Sequence, residues 1–306
     1  MTQMIQWLFF FYVYCFFGWC FESGYVFLKT GHPVNRGFMR GPFLPLYGSG
    51  AIMMLVVSRP FQEAAFPQNL VLTYIAGCLG ATVLEYVTGV TMEALFKIRY
   101  WDYSRNKFNF QGHICLGSSL AWGFLTIFMT GVIHRPIAQA VAAIPGGVLT
   151  VVTLVLTAAI GADFALSFKA ALDLRDVLDR LEKAREEMAR VQKRVDVIVA
   201  LLNDDLSKRR EELQAGFTER KEELQAGFAE RKEELQAELS ELRQRYHMHL
   251  ADRERLSGMR DFFQRDMIRA NPTMMSGRFG ESLRELQEKL EQERAEKRRN
   301  RKQEKK

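Results

Sequence analysis

The sequence predicts an all-α membrane protein, a five-span transmembrane helical bundle followed by a long cytoplasmic helical tail of coiled-coil type. Three observations carry that expectation. Mean hydropathy is only −0.13, yet residues 1–172 hold ten of the 42 Lys and Arg and six of the 36 Asp and Glu, which leaves the other 32 and 30 to residues 173–306. Before residue 172, apolar runs close to the roughly 20 residues needed to cross a bilayer recur five times. After it, apolar residues recur in steps of three and four, as along a coiled-coil seam.

The first run, 4–28, has Glu22 as its single charge. It is too long for a signal peptide and lacks the basic start and cleavage site. The second, 42–58, "PFLPLYGSGAIMMLVVS", is interrupted by Pro45, Gly48 and Gly50 and reads as a tilted or partly broken span. The third, 70–94, carries Glu85 and Glu93. The fourth, 114–133, is free of charge, and the fifth, 144–168, is clean up to Asp163. Basic residues in the connections alternate from many to few. Lys29, Arg36 and Arg40 follow the first run and Arg59 alone the second; Lys97, Arg99, Arg105 and Lys107 follow the third and Arg135 alone the fourth. The positive-inside rule then places the N-terminus outside and the tail in the cytoplasm of a bacterial plasma membrane.

Charges inside spans cost about 2.5–3.5 kcal/mol or more at the bilayer centre, so their positions carry information. Glu22, Glu85, Glu93 and Asp163 all fall towards the cytoplasmic side. Two connections lie above them: "NRGFMRGP" (35–42), with Asn35, Arg36 and Arg40, and "RYWDYSRNKFNFQGHICLG" (99–117), with Trp101, Asp102, Tyr103, Asn109 and His113. The candidate polar or substrate-binding cluster is therefore Glu22, Asn35, Arg36, Arg40, Glu85, Asp102, Asn109 and His113, with Trp101 and Tyr103 as loop aromatics. Plainer roles stand beside this one. Glu93 and Asp163 suit a solvated interface, Trp101 and Tyr103 suit an aromatic belt, and Ser118 and Ser119 suit bonds to their own helix. Glu22 and Glu85 are equally compatible with a structural pair to Arg36 or Arg40 and with a site.

Several segments in order, "FGWCFES" (17–23), "NRGFMRGPFLPLYGSGA" (35–51), "LEYVTG" (84–89), "YWDYSRNKFNFQGHICLGSSLAWG" (100–123) and "DFALS" (163–167), resemble the CmpB-like family. These are small bacterial multi-pass proteins of the type IV ABC-transporter permease kind. The resemblance covers roughly residues 5–172, and "RANPTMMSGRFGESLRELQEKL" (269–290) is similar to a tail segment of such proteins. It implies an integral membrane protein and a transporter component, with Glu22, Asn35, Arg36, Glu85, Asp102 and Asn109 at matching positions. His113 departs from the family's "GRICL", where Arg is expected, and a neutral His weakens any pair with a membrane Glu.

The tail begins with the seam Leu181, Ala184, Met188, Val191, Val195, Ile198 and Leu202, in a coiled-coil rod over 173–264. A direct repeat follows, "EELQAGFTERK", "EELQAGFAERK" and "EELQAELSELR" over 211–243. Eleven residues in three turns make a nearly straight, slightly right-handed stripe. The stripe asks for a partner helix, from a second copy of the chain or from a back-folded hairpin with 244–264 or 279–297. Residues 265–306 form a Pro-broken, charged end, interrupted at Pro272.

No GxxxxGK[ST] loop, HExxH or GxSxG is present, and no cofactor or metal is expected. His247 and His249 are two apart and point to different sides of a helix. The four cysteines lie in apolar segments without a CxxC pair and read as buried thiols. Net charge is +6, but the tail mixes both signs and basic residues are not interleaved with aromatics, so nucleic-acid binding is not expected. The expected partners are the lipid bilayer, a second copy through the coiled coil, and a separate ABC ATPase. Three function classes remain: a transport component, a membrane-anchored scaffold or regulator, and a membrane enzyme using Glu22, Glu85 and Asp102 on a lipid or headgroup.

Overall fold

Helices that are apolar all round gain nothing by hiding from hydrocarbon, so they associate through small residues, close contact and hydrogen bonds. A computed structural model of the chain describes residues 2–31, 34–61, 63, 65–214, 221–258 and 262–303. The chain forms two compact units, Met1–Arg175 with Asp261–Lys306, and Asp176–Arg260.

The first unit contains α1 (Thr2–Thr30), α2 (Pro45–Ser58) and α3 (Gln68–Phe96). After them come a two-residue hairpin, β1 (Asn109–Phe110) with β2 (Ile114–Cys115), and α4 (Leu116–Phe128). A π-helical turn, Met129–Ile133, joins α4 to α5 (His134–Ala142), and α6 (Gly146–Gln214) carries the boundary between the units. Among the described residues four segments are long and apolar enough to cross a membrane, Gln3–Leu28, Gln68–Phe96, Leu116–Ala142 and Gly146–Asp204. The chain is a helical membrane protein. The remaining apolar helix, α2, has 14 residues, about 21 Å of rise, which falls short of a hydrocarbon core of about 30 Å. Pro45 opens it, where a missing N–H has no helical partner to lose.

Consecutive apolar segments alternate in direction along the chain. Leu44 N–H donates to the Cys15 carbonyl (3.0 Å) at one end of the α1–α2 contact, and the Arg59 guanidinium lies 5.1 Å over the Trp7 ring at the other. Thr82 donates to Ser119 (2.7 Å) between the antiparallel α3 and α4. Gly18 and Gly48 let α1 and α2 approach, and Gly77 and Gly123 do so for α3 and α4. Helix α6 runs parallel to α1, with Ile5 beside Leu149 and the Tyr12 hydroxyl donating to Thr157 Oγ1 (2.9 Å). Tyr14, Ala51, Met54, Leu55 and Met129 form a buried cluster between α1, α2 and the π turn.

The fourth apolar segment extends further than the expected 114–133. The helix starts at Leu116, after the hairpin, and continues to Ala142 through Pro136. The π-helical turn just ahead of Pro136 is the kind of local rearrangement that lets a helix pass a proline.

Residues 262–303 belong to the first unit as α8 (Phe262–Ala270) and α9 (Gly280–Gln303). The helix ends before Pro272, and the strap between α8 and α9 binds both polar connections. Arg99 and Met275 exchange backbone hydrogen bonds (2.7 and 2.9 Å), Ser276 donates to the Lys97 carbonyl (2.6 Å), and Asn271 donates to the Gly37 carbonyl (2.9 Å). Phe279, Leu283, Leu286 and Leu290, spaced four, three and four, are buried, which is one face of a helix.

In the second unit the distal part of α6 and α7 (Lys221–Gly258) are antiparallel, held by Arg194–Glu238 (2.8 Å) and His249–Glu187 (3.3 Å). Leu181, Met188 and Ile198 of the expected seam are buried. Part of the 11-residue repeat, residues 215–220 with Gly216 and Phe217, lies outside the described residues, as do 259–261 of the expected rod and 304–306 of the charged end.

Candidate functional site

The segment 34–44 turns back along α1 before α2 begins, so non-helical backbone runs at the level of Cys15. Irregular backbone at such depth persists only where protein groups satisfy it. Here Gly41 N–H donates to Asp163 Oδ2 (2.8 Å), Asn35 donates to the Arg40 carbonyl, and Trp19 Nε1 donates to Asn35 Oδ1 (2.6 Å). Gly37 has φ +128, and Leu44 occupies the space that a Cβ would need. Asn35, the Arg40 backbone and Asp163 thus shape the segment.

The connection after α3 is built in the same way. Trp101 Nε1 donates to the His113 carbonyl (2.9 Å). Asn109 donates to the carbonyls of Ser104 (3.2 Å) and Asn106 (2.8 Å) and accepts from Gly112 N–H (3.2 Å). Asp102 accepts from the Ser104 N–H (3.0 Å) and hydroxyl (2.5 Å), and Arg99 Nη1 is 3.8 Å away. Burial works to raise the Asp102 pKa, but the Ser104 hydrogen bonds and the nearby Arg99 and Arg105 charges outweigh it and hold the carboxyl below its ordinary range. Gly112, at φ +74, has Ser104, Asp102 and Arg99 where a Cβ would stand. His113, buried at 4% exposure, pairs through Nε2 with Glu93 (3.0 Å), and Arg99 Nε meets the same Glu93 oxygen at 2.9 Å. The carboxylate therefore has a guanidinium beside it even though residue 113 is His.

This framework aims Tyr103 into the bundle, where its hydroxyl donates to Glu85 Oε1 (2.9 Å). Burial and the Glu85 charge push the Tyr103 pKa far up, so the hydroxyl keeps its proton. Trp122 Nε1 (3.2 Å) and Ser118 Oγ (3.3 Å) reach Glu85 Oε2, and the Ser118 hydrogen is shared with the Cys115 carbonyl (2.9 Å). Ser118 lies in the first turn of α4, whose positive end favours a carboxylate. Among the described residues no Lys or Arg is within ion-pair distance of Glu85. Polar contacts between membrane helices contribute about 0.6 kcal/mol each on average. Two and a shared third do not offset the ~3 kcal/mol cost of a charge inside a bilayer.

Opposite, Glu22 on α1 accepts from the Tyr47 hydroxyl (2.6 Å) and has Arg36 Nε at 3.7 Å. Arg36 in turn donates to the Ala270 carbonyl (3.2 Å), Asn271 Oδ1 (3.3 Å) and Thr273 Oγ1 (3.3 Å) of the strap. The Glu22 charge acts on Tyr103 as well, so the two carboxylates and two tyrosines form one electrostatic group. Tyr47, Tyr103, Ser118 and Trp122 close one end of a cavity of about 550 Å³. Its remaining walls are Tyr14, whose hydroxyl meets His134 Nδ1 at 2.7 Å, and glycines and apolar side chains of α1, α2, α4, the π-helical turn and α5.

Of the residues singled out in the sequence, Tyr103 lines this cavity, and Glu22, Arg36 and Glu85 stand behind the lining through Tyr47 and Tyr103. Asn35, Arg40, Trp101, Asp102, Asn109 and His113 form the two frameworks that hold it. Tyr47, Trp122 and the strap residues Asn271 and Thr273 were not singled out. The spacing of Ser118 and Trp122, four apart, places both on one helix face and is a usable signal. Tyr47, a polar aromatic in the middle of an apolar run, is another. Among the described residues no group of three or more His, Cys, Asp and Glu gathers as a metal site.

Residues 9–168, just over half of the 306-residue chain, match the model of a family described as "Putative ABC-transporter type IV". No curated protein and no solved structure matches the chain.

Proposed function

The chain belongs to this type IV ABC-transporter family, and on that premise we propose that it is the membrane-embedded permease component of a transporter whose substrate meets the Glu22–Tyr47–Tyr103–Glu85 group. One observation carries the reading. Two carboxylates from different helices, one of them without a cation among the described residues, hold from behind the tyrosines that line one end of a cavity, beside two stretches of irregular backbone. Broken elements and intramembrane charge at a bundle's centre are the features from which transporter sites are made.

In this reading α2 and the returning segment 34–44 together complete a second crossing, which gives five. The antiparallel packing of α2 between α1 and α3 supports that count. The distribution of Lys and Arg places the N-terminus outside and the tail, with both polar connections, in the cytoplasm. A separate ATPase docks on those connections and on the strap 271–279. Copies of the chain associate through the tail, where Val197 and Leu201 remain exposed after the hairpin has buried Ile198.

A scaffold role is the second reading, favoured by the separate compactness of Asp176–Arg260. Co-purification from native membranes in mild detergent, followed by mass spectrometry, separates the two. The comparison is between the full chain and a deletion of 176–260, which keeps both parts of the first unit. A near-stoichiometric ATPase retained by the deletion supports the permease. No ATPase, with other partners lost on deletion, supports the scaffold and sinks the permease.

A further inference from the structure

We propose that the pocket where α8 and α9 meet the end of α1 holds a phosphate group, that of an anionic phospholipid in the adjoining leaflet. This pocket shares no lining residue with the cavity described above. The proposal goes beyond the transport reading and does not rest on it.

The pocket measures about 390 Å³, room enough for a headgroup. Ile268 and Leu290, each 2% exposed, give it an apolar floor. Its charge comes from three guanidiniums and two carboxylates, and a guanidinium keeps its charge whatever surrounds it. Arg284 pairs with Glu288 (3.1 Å) along α9, Gln287 donates to the Met274 carbonyl (3.1 Å), and Glu291 is exposed. Arg269 and Arg294 have no acceptor among the described residues, and Arg269 Nε is buried without a hydrogen bond. Arg269 sits in the last turn of α8, where the helix dipole favours positive charge. The dipole still supplies that N–H with no acceptor. A buried charged donor left without a partner is costly, so the guanidinium calls for an acceptor from outside the chain. The lining carries one positive charge in excess, which a phosphodiester balances through charge-assisted bonds to the guanidiniums.

Position selects a lipid phosphate over a soluble one. Val26 forms the α1 wall and lies two residues from the end of the apolar segment Gln3–Leu28. Its neighbours Tyr25, Phe27 and Leu28 are exposed, and on a spanning helix such side chains face hydrocarbon and its boundary. The pocket therefore lies where hydrocarbon gives way to headgroups. Beyond Arg294, residues 295–302 of α9 hold five Lys and Arg against the single acid Glu296, a composition that attracts an anionic leaflet. The guanidiniums come from α8 and α9 and the apolar wall from α1. A phosphate held there fastens the two helices that flank the strap to the membrane beside α1.

The test is native mass spectrometry of the purified full chain in mild detergent, titrated with phosphatidylglycerol or with phosphatidylcholine of the same acyl chains, whose choline cancels the phosphate charge. The expected result is a phosphatidylglycerol retained in preference to phosphatidylcholine, with slower proteolysis at 271–279 when it is bound. Arg269→Gln and Arg294→Gln should each weaken that retention about tenfold, the scale of losing a close charge pair. Arg294 lies in the second half of α9, away from α8 and the strap, so its variant keeps the test decisive if Arg269→Gln does not fold. Arg299→Gln removes the same charge from α9 outside the pocket and should leave retention unchanged. Equal retention of the two lipids, unchanged retention in both pocket variants, or an equal loss in Arg299→Gln would each overturn the proposal. Displacement of the lipid by inorganic phosphate would assign the pocket to a soluble phosphate and overturn the lipid assignment.

Discussion

Glu22 on α1 and Glu85 on α3 hold the two tyrosines at one end of the cavity and are themselves held in opposite ways. Glu22 has a tyrosine, a guanidinium at 3.7 Å and partial exposure of 28%. Glu85 is 6% exposed and has only neutral donors. The difference teaches which charge the fold uses for itself. Glu22 anchors Arg36, and through Arg36 the strap, so it is part of the structure's own connectivity. Glu85 is held by neutral donors from the 99–117 connection and α4, so it ties that connection to the bundle without an ion pair among the described residues.

The comparison is broken most severely through Arg36. Arg36→Ala leaves Glu22 with Tyr47 but no cation and removes the guanidinium from Asn271 and Thr273, and should destabilise the protein by about 3 kcal/mol, the scale of removing hydrogen bonds to a charged group. Limited proteolysis near 271–279 should become faster at the same time. Protection equal to that of the wild-type chain would show that the strap does not depend on this contact. Gly112→Ala comes next, because the residue has positive φ and no room for a methyl. The expected cost is about 1–2 kcal/mol, seen as altered Trp101 emission and loss of Tyr103 from the cavity.

The glutamine pair sharpens the contrast. Glu22→Gln should lower the unfolding midpoint by leaving Arg36 without its carboxylate. Glu85→Gln should leave the midpoint unchanged or raise it, by up to about 1 kcal/mol, because it removes a charge that the membrane disfavours. The smallest effect concerns Asp102. Its folded pKa is below its unfolded value, so its contribution is fully present above about pH 4 and is lost as pH falls through the folded value. Trp101 fluorescence should therefore be flat from neutral pH to about pH 5 and change below about pH 4. Asp102→Asn should remove that acid step.

The four long apolar helices were legible in the sequence because hydrocarbon selects apolar length directly. Glu22 and Glu85 stood out for the same reason, as charges where charge is costly. Their partners were less legible. Arg36 follows from proximity along the chain, but the hydroxyls of Tyr47 and Tyr103 are directed by backbone geometry at Gly37, Gly112 and the β1–β2 hairpin, which no hydropathy pattern records. The strap was hidden by distance, since Asn271 reaches Gly37 across 234 residues. Its local signal, Pro272 and a charged helix after it, looked like a free end. The continuation of the fourth apolar segment to Ala142 was obscured by His134, Arg135 and Pro136, which read as a connection until a π-helical turn carries the helix through them.

The most direct test of the division between the two carboxylates is equilibrium unfolding of Glu22→Gln against Glu85→Gln. A lower midpoint for Glu22→Gln, with Glu85→Gln unchanged or higher, is the predicted result. A fall of the same size in both variants would contradict the account and make Glu85 a structural residue like Glu22.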